Sequence, residues 1–162
     1  MSKIVIKGPT LEKSIENIIA DIKDQVRSRT YRASNELRNS ALIVLRGQRS
    51  GRRYKVPGTY RRQRDKTDGK MKKGRYYTAS APGEPPAVRT GKFRGSWQPD
   101  PRYSDAFGVY WARIKSENLP YADWLEEGTP GGQMAPRPHH DRIKEHAEQK
   151  VFRIYNEPYF NE

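Results

Sequence analysis

The sequence contains no cysteine and no uninterrupted apolar run long enough to cross a membrane. Without cysteine, a disulfide framework, a thiolate nucleophile and a zinc–thiolate site are all excluded. A membrane-spanning helix needs about 20 mostly apolar residues in succession, and the N-terminal residues lack the apolar segment of a secretory signal. We therefore expect a soluble protein that is made in a cytoplasm and contacts no membrane.

The motifs of common enzyme classes are missing as well. Gly128, Gly131 and Gly132 lie in a proline-containing turn without the Lys and Ser or Thr that complete a phosphate-binding loop. Ser80 and Ser96 stand in no nucleophile-elbow pattern. The sequence therefore predicts a protein that is not an enzyme and that needs no cofactor.

Three adjacent residues, His139, His140 and Asp141, resemble a metal or acid–base cluster. Adjacent side chains at the start of a helix point in different directions, whereas a tetrahedral metal site needs three or four converging ligands. Glu126 and Glu127 are adjacent carboxylates, and no acid or histidine lies at a spacing typical of a catalytic partner. We interpret the histidines as structural groups near a helix N-terminus and the glutamates as capping or salt-bridging groups, with a metal site as the alternative.

Positive charge is abundant and concentrated. The chain carries 32 Lys or Arg against 19 Asp or Glu, a formal charge of +13, and residues 46–75 carry thirteen Lys or Arg against two Asp. Clustered cations bind polyanions of any sequence because they release condensed counterions. Two interpretations stay open, a strand pair that touches nucleic acid and a basic arm that docks on an acidic protein. The residues expected to face DNA or an acidic partner are Arg52, Arg53, Arg61, Arg62, Arg64, Lys70, Lys72 and Lys73.

Tyrosines are interleaved with these cations. Tyr54, Tyr60, Tyr76 and Tyr77 could stack on bases or on guanidinium groups, but we favour the interpretation that they anchor strands to the core. Helix-turn-helix spacing, zinc ligands and the strand signature of RNA-binding domains are all missing. The segment therefore carries charge without a motif for reading bases.

A long amphipathic helix precedes the basic segment. Apolar residues between Leu11 and Leu45 recur mostly at gaps of three and four, and Thr10 is a suitable N-cap. Residues 27–31 interrupt the apolar stripe, so we expect a kink or break there. Unbroken, the helix would be about 50 Å long. It is either an ordinary core helix or a helix that packs partly against neighbouring copies.

Shorter elements follow this helix. Residues 46–78 are typical of an extended basic hairpin with its tip in residues 62–73, and the prolines of residues 79–86 predict an irregular connector. Residues 107–114 are the best strand candidate. A short helix over residues 121–128 and a final helix over residues 139–155 complete the pattern.

The predicted fold class is α+β, with a long N-terminal helix, a small antiparallel β-sheet that carries the extended basic hairpin, and a C-terminal helix. The expected organisation is a single domain with the hairpin inserted and a short segment at each end. The boundaries are residues 1–9 for an N-terminal arm, 10–155 for the domain, 46–78 for the hairpin and 156–162 for a C-terminal tail.

Two segments together resemble a known phage family. Residues 80–96 read SAPGEPPAVRTGKFRGS, and residues 121–129 and 134–138 read YADWLEEGT and MAPRP. They are similar to the segments SAPGEPPAVxTGxLxxS and YAxxLExGT…MxARPF of the head–tail joining, or tail-completion, proteins of long-tailed double-stranded DNA phages, a family that includes the lambda minor tail protein Z group. The resemblance covers residues 76–145, and His139-His140 departs from it, since the family commonly has an aromatic residue or Leu there.

The resemblance implies a structural virion protein that forms a ring, of six copies, in the connector between the capsid portal and the tail tube. Its implied partners are further copies of itself, a head-closure or adaptor protein, the tail terminator, the tail tube and packaged DNA in the lumen. The alternative is a stand-alone basic nucleic-acid-binding protein. The residues expected to set the path of the connector or to form the packing nucleus of the second segment are Pro82, Gly83, Pro85, Pro86, Thr90, Tyr121, Trp124, Leu125, Gly128, Met134 and Pro136.

Overall fold

The computed structural model describes residues 8–56, 75–117 and 119–159. It has the predicted α+β class, with a long helix near the N-terminus, small antiparallel sheets and a C-terminal helix. The elements in chain order are α1 (Leu11–Val44), β1 (Arg53–Lys55), β2 (Tyr76–Thr78), α2 (Lys92–Gly95), β3 (Trp97–Pro99), β4 (Arg102–Ser104), β5 (Val109–Trp111), β6 (Ile114–Ser116), α3 (Ala122–Glu127) and α4 (His140–Tyr155).

α1 is continuous over its 34 residues, a length of about 50 Å. Thr10 is its N-cap, and the Thr10 hydroxyl oxygen accepts the Lys13 N–H at 3.5 Å. The break expected at residues 27–31 is therefore wrong. In this stretch the Thr30 hydroxyl donates to the Val26 carbonyl at 2.8 Å, so the polar residues that interrupt the apolar stripe find partners without breaking the helix.

The apolar core lies where the C-terminal half of α1 meets α4, α2 and the β3–β6 pair. Ala41, Leu45, Trp97 and Ile143 form one buried cluster. Ala33, on the same side of α1, and Ala147 of α4 are both fully buried. Small side chains at these positions let the two helices approach closely. The partly buried residues packed against the cluster are Val44, Phe93 and Ile114.

The described strands pair as three separate antiparallel ladders, β1 with β2, β3 with β6 and β4 with β5. The single strand predicted over residues 107–114 is wrong, because β5 and β6 pair with different partners. The Arg113 N–H donates to the Ser34 hydroxyl of α1 at 3.1 Å, and the Arg113 carbonyl accepts the Asp100 N–H at 2.8 Å. The first bond ties the chain to α1 between β5 and β6, and the second continues the β3–β6 pairing by one residue.

β1 and β2 bring together the two ends of the predicted basic hairpin, with Arg53 opposite Thr78 and Lys55 opposite Tyr76. The remainder of that hairpin, residues 57–74, lies outside the described residues. So does most of the predicted N-terminal arm.

Residues 156–159 of the predicted C-terminal tail lie along the middle of α1, and the rest of the tail lies outside the described residues. Arg29 is buried and donates to the Pro158 carbonyl at 2.7 Å, and its guanidinium carbon lies 3.8 Å from the centre of the Tyr159 ring. Arg32 forms two hydrogen bonds with the Glu157 carboxylate, at 2.5 and 2.6 Å. The tail is therefore tied to the chain's own longest helix.

Within the described ranges, none of the helices combines the length and the apolar character needed to cross a bilayer.

Candidate interaction surfaces

The segments at residues 80–96 and 121–138, which carry the sequence resemblance, lie against each other. The Gly83 N–H donates to the Pro136 carbonyl at 3.2 Å, and the Arg142 guanidinium donates to the Gly83 carbonyl at 3.0 Å. The turn in the first segment is therefore held by the second segment and by α4.

A buried polar contact reinforces this region. The Arg137 guanidinium donates to the carbonyl and to the hydroxyl oxygen of Ser80, which is 7% exposed. The Arg137 backbone N–H donates to the Leu125 carbonyl at 2.9 Å. One arginine thus ties the connector to α3. We call the contact formed by Ser80, Gly83, Pro136 and Arg137 the motif junction.

α3 ends at Gly128, as the sequence predicts. The backbone φ of Gly128 is 87°, a conformation that residues with a side chain rarely adopt. A Cβ atom there would lie 2.8 Å from the Met134 carbonyl oxygen. The Thr129 N–H donates to that same oxygen at 3.1 Å, and the Thr129 hydroxyl accepts the Met134 N–H at 2.8 Å. The loop from Thr129 to Met134 therefore packs against the backbone of Gly128, where there is no room for a side chain.

The predicted packing residues are divided between the interior and the surface. Pro85 and Pro86 are buried, and Leu125, Gly128 and Met134 are half-buried. Trp124 is 49% exposed, so much of its ring is open to a partner. The packing role of the exposed residues stays a prediction. The predicted packing residues that the structure leaves exposed are Pro82, Gly83, Thr90, Tyr121, Trp124 and Pro136.

A cavity of about 410 Å³ lies between the end of α1 and α3. Its apolar lining comes from the end of α1, the connector, α2 and α3, and Arg89 and Arg94 add positive charge. Such a cavity can accept an apolar side chain or a short acidic segment of a partner. Sequence reasoning missed it because segments far apart in the chain build it. Its main apolar residues are Leu45, Pro86, Val88, Phe93 and Leu125.

Glu126 caps the N-terminus of α4. Its carboxylate accepts the His139 N–H at 2.9 Å and the His140 N–H at 3.4 Å, and one oxygen lies 2.5 Å from Nδ1 of His139. This is the capping role expected for a glutamate here. Sequence reasoning did not connect Glu126 with the histidines, because thirteen residues separate it from His139.

His139 is a buried neutral ring in this arrangement. It is 1% exposed and packs edge-on to Phe93 and Trp97, with ring centres 5.2 and 5.9 Å away. Burial lowers the pKa of His139, against opposing contributions from the Arg137 carbonyl and Glu126. Nδ1 lies 3.0 Å from that carbonyl oxygen, which can only accept, so Nδ1 carries a hydrogen.

Glu126, His139 and His140 are also the group, among the described residues, whose potential metal-ligating atoms converge within 4.8 Å. A metal would need a lone pair on each histidine ligand and a free carboxylate oxygen. With the hydrogen on Nδ1 of His139, the lone pair of that ring lies on Nε2, while both Glu126 oxygens accept the helix N–H groups. The hydrogen bonds of Glu126 are those of a helix cap.

The β1–β2 ladder, which we define as Arg52 with strands β1 and β2, forms a basic aromatic surface. The guanidinium carbon of Arg53 lies 4.6 Å from the centre of the Tyr76 ring, and that of Arg52 lies 5.6 Å from the centre of the Tyr54 ring. Tyr54 and Tyr76 are 43% and 46% exposed. The expectation that these two tyrosines anchor the strands to the core is therefore wrong, since they support cations at the surface instead.

Of the residues predicted to face DNA or an acidic partner, the structure describes two, Arg52 and Arg53, and both are exposed. The others lie outside the described residues, namely Arg61, Arg62, Arg64, Lys70, Lys72 and Lys73.

The N-terminal half of α1 carries an apolar surface without cover from the rest of the described chain. Leu11 is 78% exposed, Ile15 is 48% exposed, and Ile18 and Ile19 are each 47% exposed. In the described ranges, Gln25 is the first residue of α1 with a hydrogen bond to a distant part of the chain, to the Tyr159 carbonyl at 2.9 Å. We call these four apolar residues, together with the half-buried Ile22 that follows them on the same side, the bare stripe.

The bare stripe and the basic ladder are exposed surfaces, the motif junction is a contact within the chain, and the convergent polar groups around Glu126 cap α4. In comparisons with protein-family models, curated proteins and solved structures, the chain matches none of them.

Proposed function

We propose that this chain is a structural virion protein of a tailed double-stranded DNA phage. In this proposal it forms a ring at the head–tail interface, completes the tail and joins it to the head. The observation that carries the proposal is the motif junction, in which Ser80 and Gly83 contact Arg137 and Pro136. Both segments that resemble the phage family thus belong to one structural unit, as parts of a shared motif should.

Unburied apolar surface supports an assembly role. Leu11 at one end of α1 and Trp124 on α3 are large apolar side chains with 78% and 49% of their surface exposed. Contiguous apolar surface on a small protein marks interaction sites. A protein that functions inside a ring buries such surface against its neighbours, which accounts for both regions without invoking chemistry.

The basic ladder fits either of two partners within this proposal. Arg52 and Arg53 are exposed cations, and the charge of residues 46–75 would be repeated around a ring. Facing inward, these cations would attract DNA in the lumen, and facing a neighbouring ring they would pair with acidic residues. The proposed partners are therefore the head-closure or adaptor protein, the tail terminator, the tail tube and packaged DNA.

The direct test is deletion of the coding sequence from the phage or prophage genome that carries it, followed by imaging of the particles produced. We expect filled heads and tails that fail to join, and joining restored by a plasmid copy. Mass spectrometry of complemented, purified virions should detect the chain. Normal joined and infectious particles without the chain would overturn the proposal.

A second candidate function is stand-alone binding of nucleic acid, and the Arg53–Tyr76 pair on the exposed ladder favours it. Cations with aromatic rings bind single strands by charge and stacking. Isolated full-length chain that still binds DNA or RNA at about 150 mM salt would support this candidate. Strong binding with a steep salt dependence is expected of this candidate, whereas binding lost by about 150 mM salt would favour the neck protein.

A further inference from the structure

We infer that copies of this chain associate head to tail, with the bare stripe of one copy packed on the β1–β2 ladder of the next. The inference deepens the proposed function by naming the contact between copies. It rests on the proposed function only for the expectation that the copies form a closed ring. The contact itself joins two surfaces of the described chain whose apolar character and charge complement each other.

The bare stripe lies on the same side of α1 that is buried in the core further along the helix. Successive helix residues are turned by about 100°, so the five stripe residues fall within a sector of about 100°. The same side of α1 continues to Val26, which is half-buried, and to Ala33, which is fully buried. The tail begins to cover this side at Gln25 through the Tyr159 carbonyl. Within the described residues, the chain therefore covers the second half of this face and leaves the first half exposed.

The charges beside the two surfaces are opposite. The bare stripe is flanked by Glu12 and Glu16 on one side and by Asp21 on the other, with Lys23 as the one base among the flanking residues. The ladder presents Arg52 and Arg53. Acidic flanks on an apolar helix and cations beside exposed aromatic rings form a complementary pair.

The ladder also offers the apolar half of such a contact. Tyr54 and Tyr76 leave 43% and 46% of their surface exposed. Tyr54 stacks on Tyr77 with ring centres 5.8 Å apart, which fixes its ring against the strands. Rigid aromatic rings beside arginines are the side chains most enriched in the centres of protein interfaces. The leucine and isoleucines of the stripe can pack on these rings while their acidic flanks reach the arginines.

These two surfaces cannot meet within one chain. Ile18 in the stripe lies 26 residues before Val44, at the end of α1, a distance of about 40 Å along the helix axis. The ladder follows that end directly, because the Arg49 guanidinium donates back to the Val44 carbonyl at 2.9 Å and the Gly51 N–H donates to the Ala79 carbonyl at 3.0 Å. Different surfaces at opposite ends of a molecule join copies in a repeating, heterologous contact that makes a ring or an open filament.

The test uses the full-length chain and sedimentation velocity over a range of concentrations. Ile18→Asp places a charge in the stripe, and Arg53→Glu reverses a charge on the ladder. Each is expected to weaken self-association by more than about tenfold, since each leaves a buried charge unpaired or opposed. Ala20→Asp, on the opposite side of α1, and Arg153→Glu, on α4, are matched controls that should associate as the wild type does. Circular dichroism verifies that all four variants are folded.

Mixing the two defective variants separates a head-to-tail contact from a symmetric one. The Ile18→Asp variant retains an intact ladder, and the Arg53→Glu variant retains an intact stripe. An equal mixture should therefore form one-to-one complexes of twice the monomer mass and no larger species. A mixture that stays monomeric would overturn the head-to-tail contact.

The outcomes also distinguish this inference from the proposed function. Wild-type association that neither substitution weakens, or a wild type that stays monomeric at its highest soluble concentration, would overturn the inference. In both cases a head–tail joining defect after gene deletion would still support the proposed function. Association that depends on Ile18 and Arg53, together with normal particles after deletion, would support the inference and overturn the proposed function.

Discussion

Glu84 in the connector holds Ser50, which lies just beyond α1. One Glu84 oxygen accepts the Ser50 hydroxyl at 2.6 Å, and the other accepts the Ser50 N–H at 3.1 Å and the Ala81 N–H at 2.9 Å. These hydrogen bonds lower the pKa of Glu84 to about 2, and the bond from the Ser50 hydroxyl contributes most. One half-buried carboxylate therefore joins the chain after α1 to the first of the segments that resemble the phage family.

Replacing Glu84 with Gln should lower the melting temperature by a few degrees at neutral pH, because a neutral amide replaces a charged acceptor of three hydrogen bonds. The folded carboxyl titrates at about 2 and the free group at 4.5. Its stabilisation is therefore complete above about pH 4.5 and is lost as the pH falls towards about 2. Thermal unfolding near pH 7 and near pH 2.5 should show the gap between wild type and variant closing in acid.

The matched control for this prediction is Glu145→Gln, which changes an exposed carboxylate on α4. It should leave the melting temperature unchanged at both pH values. An equal gap between wild type and the Glu84→Gln variant at neutral and acid pH would contradict the role assigned to the Glu84 charge.

Gly128→Ala should destabilise the fold by about 3 kcal/mol, because a positive φ and a clash add together. The new Cβ would meet the Met134 carbonyl oxygen at 2.8 Å. Gly131→Ala is the control, since Gly131 also has a positive φ, 90°, but has no atom within 4 Å of the added carbon. It should cost about 1 kcal/mol through backbone strain alone. Urea unfolding measures both free energies, and equal costs would show that the contact at Met134 contributes nothing.

His139→Phe should remove a pH dependence of stability. Burial lowers the pKa of His139 from its ordinary 6.5, so the unfolded chain binds the proton more readily than the folded chain. Stability from this group is therefore complete above about pH 6.5 and is lost as the pH falls below it. Phe preserves the edge-on contacts with Phe93 and Trp97 and cannot be protonated. Melting temperatures between about pH 7.5 and pH 5 should fall in the wild type and stay flatter in the variant.

Zinc should leave the melting temperature of the wild type unchanged, because both Glu126 oxygens already accept the N–H groups that begin α4. Thermal unfolding with added Zn²⁺ and with a chelator measures this. A metal bound to the folded state would raise the melting temperature with concentration. A rise that His139→Phe abolishes would establish a metal site formed by Glu126, His139 and His140.

The long helices could be predicted from the sequence because their signals are local. The periodic apolar residues of α1, the cap at Thr10 and the glycine at position 128 each act within a few residues. The split of residues 107–114 could not be predicted, since it depends on the bond from Arg113 to Ser34, 79 positions away in the chain. A strand pattern does not reveal which backbone group a distant helix will bind.

The sequence shows which residues form the interaction surfaces, but it does not show which of them the rest of the chain buries. The apolar stripe of α1 is visible in the sequence, but the point at which cover begins depends on where Tyr159 meets Gln25. Likewise, the cations around Arg53 are visible in the sequence, while the exposure of Tyr76 depends on how little of the β1–β2 ladder the described residues cover. Burial is a property of the folded chain, so the same apolar pattern predicts a core helix and an interface helix equally well.

The buried Arg29 should contribute more to stability than the exposed Arg32, although both hold the tail on α1. Arg29 is 4% exposed and donates to the Pro158 and Tyr155 carbonyls with its guanidinium over the Tyr159 ring. Lysine cannot reproduce this fork, so Arg29→Lys should cost about 2 kcal/mol. Arg32 and Glu157 are 49% and 41% exposed in their side chains, so Arg32→Lys should cost less than about 1 kcal/mol.

Urea unfolding measures both costs, and limited proteolysis at Tyr155 and Tyr159 reports release of the tail. The Arg29→Lys variant should be cleaved there faster than the wild type, because its tail opens more often. Since the tail begins the cover of α1 at Gln25, its release would lengthen the uncovered apolar face. Equal proteolysis of the two lysine variants would contradict the buried arginine as the anchor of the tail.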